Sequence, residues 1–491
     1  MAVAPNLRDR SNQSAVRTLA DQAFSRAAGA PLIAGNAVRI LRDARENYPV
    51  WLEAIAAARD HVHFESYIIY EDAAGEMFSQ ALIDKAKSGV RVRLIYDWLG
   101  GLGKASAKFW RRLREGGVDV RCYNPPRWDA PLSWVSRDHR KLLVVDGDVG
   151  FVTGLCVGRM WTGDPANNIE PWRDTGVEIR GPAVVELERS FSQAWAMLGT
   201  PIENQTTAPS VCGDVAIRVV ATLPATAGMF RLDQIVAALA RKRVWLTDAY
   251  YAGTATYVQA LTAAAADGVD VRLLVPSSSD IPLLSHLSRA GYRSLLQAGV
   301  RVFEWNGIML HAKTAVADGR WARVGSTNLN IASWLGNCEL DAMIENDGFA
   351  EQMEQMYLED LSHSTEIVLD PRRKRVRASQ PHRHQQAPRR PSGRAGRAAS
   401  SAVRIGNTIG AAFMNRRTLE PVESRIMATS GLALLICALI FALVPKLLVY
   451  PLMALSIWIG IALLYKAYTL RRAGKQDTEA ARADQTVVEK K

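Results

Sequence analysis

The chain of 491 residues carries one short pattern twice, His-x-Lys-x-x-x-x-Asp, and this duplication constrains the fold more than any other feature. The residues of the pattern are His139, Lys141 and Asp146 in the first copy and His311, Lys313 and Asp318 in the second. A glycine follows each copy, and the second copy then leads into Gly325-Ser326-Thr327-Asn328. Two copies with the same spacing indicate two copies of one structural unit that share a site.

The repetition extends beyond the motif to apolar runs that recur in the same order, 179 to 182 residues later. The pairs are Val62-His63-Phe64 with Val244-Trp245-Leu246, Gly89 to Leu94 with Gly268 to Leu273, and Gly117 to Val120 with Gly299 to Val302. Helical stretches such as Phe78 to Ser88 and Tyr257 to Ala266 alternate with them. This alternation predicts an α/β fold with a largely parallel sheet. We expect two such halves, packed face to face, to form one active site between them.

The residue types of the motif indicate phosphoryl chemistry. A His and a Lys two positions apart on a strand point to the same face, and the apolar residues after them predict a buried strand. An ammonium suits a phosphate oxygen, and an imidazole can attack phosphorus or transfer a proton near neutral pH. Two copies therefore supply a nucleophile, a general acid and two cations. Because the lysines neutralise the developing charge, we expect neither a metal nor a cofactor.

This duplicated motif resembles the signature of the phospholipase D superfamily and, within it, of the bacterial cardiolipin synthases. The resemblance covers roughly residues 35 to 370 and implies a mechanism through a phosphohistidine. It implies that His139 is the nucleophile and His311 the general acid. Lys141 and Lys313 are then phosphate ligands, beside Ser326 and Asn328. Glu339, which lies 28 residues after His311, occupies the family's position for a carboxylate that bonds a catalytic histidine, and Asp174 is its counterpart in the first half.

Several of these residues also have simpler interpretations. Asp146 and Asp318 either belong to the catalytic set or only orient the motif and cap the following turn. Asp174 and Glu339 either orient a histidine or form ordinary ion pairs, and Ser326 is alternatively a turn residue. The sequence also departs from the family at Cys156, which stands where an asparagine is expected. The first half therefore lacks one phosphate-binding amide.

The C-terminal part of the chain predicts a membrane anchor. Residues 372–404 contain 11 Arg or Lys and no Asp or Glu, which indicates a disordered linker attracted to anionic lipid headgroups. Two stretches, Ile426 to Val444 and Leu447 to Tyr465, contain no charged residue and flank Pro445-Lys446. Each is long enough to cross a bilayer as a helix, and a re-entrant or interfacial hairpin is the alternative, because Lys446 and Pro451 lie at the turn. Basic residues on both sides of this hairpin predict that both termini and the catalytic halves face the cytoplasm, at the inner membrane.

The sequence thus predicts two tandem phospholipase D-like α/β repeats facing each other around one active site, plus a C-terminal transmembrane helical hairpin. We expect a phosphatidyltransferase of the cardiolipin synthase type, with a phospholipase D hydrolase, a nucleic-acid phosphodiesterase and an inactive scaffold as alternatives. Phospholipids and an anionic membrane surface are the expected partners, and nucleic acid is not. The predicted segments are an N-terminal extension (1–34), two repeats (35–205 and 206–371), a basic linker (372–404), an amphipathic segment (405–425), the hairpin (426–472) and a polar tail (473–491).

Overall fold

The computed structural model describes residues 21–127, 136–167, 169–202, 209–370 and 375–378, together with part of 432–468. The chain divides into two units, one comprising residues 1–123 and 136–416 and the other residues 124–135 and 417–491. Both copies of the motif lie in the first unit, which contains every strand among the described residues.

The first half of this unit contains strands β1 to β7 and helices α1 to α6. The strands are β1 (Ile33–Arg42), β2 (His61–Ser66), β3 (Arg91–Asp97), β4 (Asp119–Tyr123), β5 (Lys141–Val145), β6 (Val149–Thr153) and β7 (Thr175–Arg180). The helices are α1 (Asp43–Ala57), α2 (Ala73–Lys87), α3 (Trp98–Gly101), α4 (Ala107–Glu115), α5 (Arg159–Thr162) and α6 (Val184–Met197).

The second half contains strands β8 to β16 and helices α7 to α10. The strands are β8 (Val215–Thr222), β9 (Arg243–Thr247), β10 (Asp270–Pro276), β11 (Arg301–Trp305), β12 (Thr314–Ala317), β13 (Trp321–Gly325), β14 (Glu339–Glu345), β15 (Ser364–Asp370) and β16 (Arg375–Ala378). The helices are α7 (Gly228–Leu239), α8 (Ala255–Ala266), α9 (Pro282–Gln297) and α10 (Asp347–Ser362), and a π-helical turn spans Ala332–Gly336.

The two halves repeat one topology. Within the sixteen-stranded sheet the first half has the order β1-β7-β6-β5-β2-β3-β4, and the second half has the equivalent order β8-β14-β13-β12-β9-β10-β11. The repeated glycines explain part of this agreement. Gly89 and Gly268 follow helices α2 and α8 with φ of 92° and 89°, a left-handed conformation that ends a helix and turns the chain into the next strand. The two halves are thus copies of one α/β unit, as the duplicated runs predict.

The prediction of a largely parallel sheet is wrong, because the sheet is mixed. Parallel pairing is confined to β2-β3-β4 and β9-β10-β11, and the other strand pairs are antiparallel. The reason lies in the short connections after each motif. Only residues 146–148 join β5 to β6, whereas a parallel connection needs a dozen residues or more. Asp146 and Gly147, like Asp318 and Gly319, have positive φ and form these tight turns.

The halves are joined in two ways. Strands β1 and β8 pair antiparallel, so that one sheet runs through both halves. A shared apolar core lies between them and draws side chains from helix α6 of the first half and helix α10 of the second, including Phe191, Trp195, Phe349 and Met353. Strand β16 extends the edge beyond β15 and occupies residues that the sequence assigned to the disordered linker. The expected facing arrangement is therefore present, and one sheet also runs through both halves.

The second unit contains the predicted membrane hairpin, most of which lies outside the described residues, as do the amphipathic segment and the polar tail. The described residues between 432 and 468 are almost all helical, and their apolar side chains, among them Leu435, Leu443 and Leu464, are exposed. Among the residues that the structure describes, no helix combines the length and apolarity of a membrane span.

Candidate active site

The two motifs lie where the central strands of the two halves begin. Lys141 is the first residue of β5, and His139 precedes it in the loop. His311 and Lys313 both precede β12, which begins at Thr314. The histidines are therefore held by loops entering the strands, which corrects the expectation that they lie on the strands themselves. The apolar residues after them do form buried strands, as expected.

Each motif loop is fixed by the backbone of the other half. The N–H of His139 donates to the carbonyl of Cys338 at 2.9 Å, and the N–H of His311 donates to the carbonyl of Arg173 at 2.7 Å. In both cases the residue after the acceptor carries a carboxylate. The crossed backbone bonds therefore bring a carboxylate of one half beside the histidine of the other.

The crossed carboxylates are Glu339 and Asp174. Nδ1 of His139 lies 2.9 Å from Oε2 of Glu339, and Nδ1 of His311 lies 2.7 Å from Oδ2 of Asp174. Both carboxylates are fully buried. A carboxylate at Nδ1 fixes the ring orientation and leaves Nε2, on the opposite side of the ring, as the atom that can meet a substrate. Glu339 and Asp174 therefore have the contacts expected of residues that orient the two histidines.

Burial controls the protonation of His311. It lowers the pKa of His311 to about 4, with help from the Lys313 charge, although Asp174 acts in the opposite direction. Burial alone would raise the pKa of Asp174, but its contact with His311 and the Lys313 charge hold that pKa below its usual value. At neutral pH the substrate-free site therefore pairs a neutral imidazole, which donates from Nδ1, with an ionised carboxylate.

The two lysines are buried in the same region and act on each other. Burial lowers the pKa of Lys313 to about 8; the Asp174 carboxylate opposes this decrease and the Lys141 charge adds to it. Both ammonium groups donate to the carbonyl of the histidine two residues earlier. They also face tyrosine rings, with Nζ of Lys141 5.2 Å from the ring centre of Tyr67 and Nζ of Lys313 5.8 Å from that of Tyr250. Two buried ammonium groups in one region are suited to bind an anionic ligand.

Ser326 and Asn328 have different environments. Oγ of Ser326 donates to Oε2 of Glu339 at 2.6 Å, so this hydroxyl holds the carboxylate. Asn328 is buried, its Nδ2 lies 3.5 Å from Oγ of Ser333, and its Oδ1 has no hydrogen-bond partner among the described residues. Of the two predicted phosphate ligands, Ser326 donates its hydroxyl to Glu339, whereas the Nδ2 donor of Asn328 has only the long contact to Ser333.

Cys156 is fully buried at the position where the family expects an asparagine. Burial raises the pKa of its thiol, and the charges of Lys141 and Lys313 oppose that increase. Its carbonyl accepts a hydrogen bond from the hydroxyl of Tyr48. The residue therefore lies within reach of both lysine charges as a neutral thiol, in the place of an amide.

Asp146 and Asp318 lie away from this cluster. Each carboxylate accepts three backbone N–H groups from the segment before the neighbouring strand, with distances of 2.8 to 3.0 Å. For Asp146 the donors are residues 59 to 61, and for Asp318 they are residues 241 to 243. These contacts match the second interpretation of the sequence, in which the motif aspartates orient the turn and have no direct part in the chemistry.

Aromatic rings surround the histidines, and sequence reasoning missed two of them. Tyr67 lies 5.0 Å from His139 between ring centres, and Tyr250 lies 5.9 Å from His311. Each tyrosine comes just after the strand that pairs with the motif strand, a position that could have revealed both. Trp161 and Trp172, each 5.4 Å from His311, complete the set.

A separate cluster of titratable residues lies on the buried face of β2. The carboxylate of Glu188 contacts Nε2 of His61 at 2.6 Å and Nδ1 of His63 at 2.7 Å, and the three have the residue types of a metal site. Arg93, however, donates to Nε2 of His63, so Nδ1 of that ring carries the proton and donates to Glu188. The contacts form a complete hydrogen-bond network that ties α6 to β2.

A duplicated α/β unit with two buried His–Lys pairs, each completed by a carboxylate from the other half, defines a phosphoryl-transfer enzyme of the phospholipase D type. Comparisons with known proteins identify the family. The family model for the cardiolipin synthase, phospholipase D-like domain matches residues 51–195 and 235–361. The chain belongs to this family.

Relatives named as cardiolipin synthases agree with this assignment, and a solved structure shares the fold. A cardiolipin synthase of Alkalihalophilus pseudofirmus is 34% identical over 345 residues, which are 69% of this chain and 68% of that protein. Cardiolipin synthase A of Pseudomonas aeruginosa is 34% identical over 358 residues, 72% of each chain. The crystal structure of phosphatidylserine synthase from Haemophilus influenzae is 14% identical, covers 71% of this chain and 92% of its own, and has a TM-score of 0.57, which shows that the fold is shared.

Proposed function

We propose that the protein is a phosphatidyltransferase of the cardiolipin synthase type, which joins two phosphatidylglycerol molecules and releases glycerol. The observation that carries this proposal is the pair of crossed His–carboxylate contacts beside two buried lysines, in a chain whose relatives are cardiolipin synthases. Two imidazoles in one site allow the donor phosphodiester to be cleaved and reformed without a second protein.

In the first step, Nε2 of His139 attacks the phosphorus of the donor lipid. The new P–N bond forms as the bond from phosphorus to the headgroup oxygen breaks, and His311 gives that oxygen a proton from its Nε2. Glycerol leaves, and the phosphatidyl group stays on His139. Because His311 is neutral in the substrate-free site, it must take up its proton as the anionic substrate enters; the phosphate charge favours this by offsetting the lysines.

In the second step, the free glycerol hydroxyl of another phosphatidylglycerol is the acceptor. His311, now neutral, takes the proton of this hydroxyl while its oxygen attacks phosphorus and the P–N bond breaks. The product is a diphosphatidylglycerol; His139 is free again, and His311 carries the proton with which it began the first step and releases it when the product leaves. Water in place of the alcohol would give phosphatidic acid, so that transfer and hydrolysis differ only in the acceptor.

The remaining residues hold the groups that react. Glu339 and Asp174 fix the ring orientation and stabilise an imidazolium when one forms. Lys141 and Lys313 neutralise the phosphoryl oxygens, and Nδ2 of Asn328, whose contact within the protein is a long one of 3.5 Å, donates a further hydrogen bond to them. With a pKa near 8, Lys313 is already mostly charged at neutral pH, and a phosphate anion beside it stabilises that charge further.

We also propose that the chain works at the cytoplasmic face of the inner membrane. Exposed apolar side chains on the helical residues between 432 and 468, together with the 11 basic residues of 372–404, support attachment through the predicted hairpin and to anionic lipid. Such an anchor would keep the site beside its lipid substrates.

The test uses purified full-length protein in mixed micelles with phosphatidylglycerol labelled in the glycerol headgroup and, in a parallel assay, in the acyl chains, so that lipid products without the headgroup are also detected. Wild type should form diphosphatidylglycerol and free glycerol, and His139→Ala and His311→Ala should form neither. The Asp318→Asn variant, which alters a turn outside the site, serves as the matched control and should stay active. Phosphatidic acid as the sole lipid product would establish a hydrolase, and cleavage of oligonucleotides without lipid turnover would place the enzyme among the nucleic-acid phosphodiesterases.

A second assay distinguishes the two histidines. With donor labelled at phosphorus, quenched protein should carry label that is stable to base and lost in acid, as for a phosphohistidine. His139→Ala should carry no label. Label in His139→Ala but not in His311→Ala would reverse the assignment of nucleophile and acid.

A further inference from the structure

The two catalytic carboxylates are supported by different residues, although the halves share one topology. The N–H of Ser326 donates to the carbonyl of residue 340, which follows Glu339, at 3.0 Å. The N–H of Gly154 donates to the carbonyl of residue 175, which follows Asp174, at 3.1 Å. Gly154 is therefore the structural counterpart of Ser326. A glycine has no hydroxyl, so Asp174 cannot receive the support that Ser326 gives to Glu339.

The position of Asp174 also excludes a serine at residue 154. A Cβ atom built on Gly154 would lie 2.2 Å from Oδ1 of Asp174 and 3.0 Å from its Cγ. The shorter aspartate keeps its carboxylate close to the strand, where it fills the space that the serine side chain would occupy. The hydrogen-bond donor for this carboxylate must therefore come from elsewhere in the fold.

The donor is the indole of Trp161, in helix α5. Its Nε1 donates to Oδ2 of Asp174 at 3.0 Å, and this is the same oxygen that lies 2.7 Å from Nδ1 of His311. The other oxygen, Oδ1, accepts the backbone N–H of Thr175 at 2.9 Å. Trp161 is 1% exposed, and its ring meets that of His311 edge to face. The indole therefore contacts both members of the Asp174–His311 pair.

We propose that Trp161 is a positioning residue of the first half, which replaces the missing serine and sets the proton affinity of His311 through Asp174. An N–H donor on Oδ2 withdraws electron density from the oxygen that faces the imidazole and holds that oxygen in line with Nδ1. Without this donor the carboxylate accepts more strongly from His311 and favours the imidazolium. This inference rests on the proposed transfer reaction, in which His311 alternately gives and takes a proton.

The experiment measures kcat and KM for diphosphatidylglycerol formation across pH in the full-length protein. Trp161→Phe keeps a ring and removes the N–H, and replacement of Trp161 by β-(3-benzothienyl)alanine removes the N–H while keeping the indole shape. Both variants should lower kcat by about one to two orders of magnitude, the effect of one hydrogen bond to a charged group, with KM within twofold of wild type. The limb of the kcat profile that reports His311 should move to higher pH, because its imidazolium becomes more stable.

Trp172→Phe is the matched control. Its ring lies as close to His311, but its Nε1 has no hydrogen-bond partner among the residues that the structure describes. Trp172→Phe should leave the dependence of kcat on pH unchanged. A benzothienyl variant with the wild-type profile, or an equal shift in Trp172→Phe, would overturn the inference. If wild type makes no diphosphatidyl lipid at all, the proposed function fails first and this inference fails with it.

Discussion

The Asp174→Asn substitution tests the crossed carboxylates most directly, because the structure leaves no orientation in which an amide fits. Oδ1 of Asp174 accepts the N–H of Thr175, and Oδ2 accepts the N–H of Trp161 and contacts Nδ1 of His311. An amide has one acceptor and one donor end, so either orientation places its NH2 against a buried N–H. Leaving such groups unpaired costs about 1–3 kcal/mol of unfolding free energy.

The Asp174→Asn substitution should also slow catalysis. Replacing a hydrogen bond to a charged group removes about 1.5–3 kcal/mol, and the amide also stops opposing the low pKa of His311. The pKa of His311 should therefore fall further, which weakens it as a proton donor. Since about 1.4 kcal/mol corresponds to a factor of ten in rate, kcat should fall on the order of 100-fold.

The assay combines initial rates of diphosphatidylglycerol formation with urea unfolding of the same preparation. Rates of wild type and Asp174→Asn are compared at a temperature where both are folded, so that a loss of stability is not mistaken for a loss of activity. Asp146→Asn is the control, since it also removes a carboxylate that accepts backbone N–H groups but contacts no catalytic group. An Asp174→Asn enzyme with wild-type kcat and an unchanged unfolding midpoint would refute the assignment of Asp174 to His311.

Three further predictions concern the turn, the pH dependence and the anchor. Asp318→Ala should lower the unfolding free energy by about 1–3 kcal/mol, because three backbone N–H groups lose their acceptor, while kcat of the folded enzyme stays within twofold; a large loss of kcat would return Asp318 to the catalytic set. His311 has a folded pKa of about 4, below its unfolded value, so its contribution to stability is present at neutral pH and is lost as pH falls towards 4. Between pH 7 and pH 5 wild type should therefore lose about 2 kcal/mol more than His311→Gln in urea titrations, and equal losses would contradict the lowered pKa. A chain ending at residue 404 should lose stable binding to neutral vesicles in flotation assays and keep salt-sensitive binding to anionic vesicles; unchanged flotation on both would exclude the hairpin as the anchor.

The duplication can be predicted from the sequence, because the motif and the runs that begin with Gly89 and Gly268 recur at nearly constant spacing. The candidate histidines and lysines can also be identified from the sequence, and the fold brings their side chains to one region. The strand directions were mispredicted, since short apolar runs look alike in parallel and antiparallel sheets. The three-residue connection at residues 146–148 is the physical signal that excludes a parallel pair, and it can be read from the sequence.

Other features of the site depend on contacts between distant segments. Trp161 acts on Asp174 only because the backbone of residue 154 approaches that carboxylate, a distance that no local pattern encodes. Tyr67 and Tyr250 reach the lysines because of the strand order. The motif aspartates illustrate the opposite case. Their regular spacing fits either role that the sequence leaves open, and only the fold shows that each carboxylate accepts backbone N–H groups beside a turn.

Because each histidine is paired with a carboxylate from the other half, the site can assemble only when both halves have been synthesised. His139 obtains its partner from a residue 200 positions later, and His311 from one 137 positions earlier. Neither half contains a complete acid–base pair of its own, so a nascent chain released after the first half holds a histidine with no carboxylate. Catalytic competence therefore arises only after the second half has been synthesised and has docked. A chain that lacks the second half is therefore expected to be unreactive towards lipid phosphate.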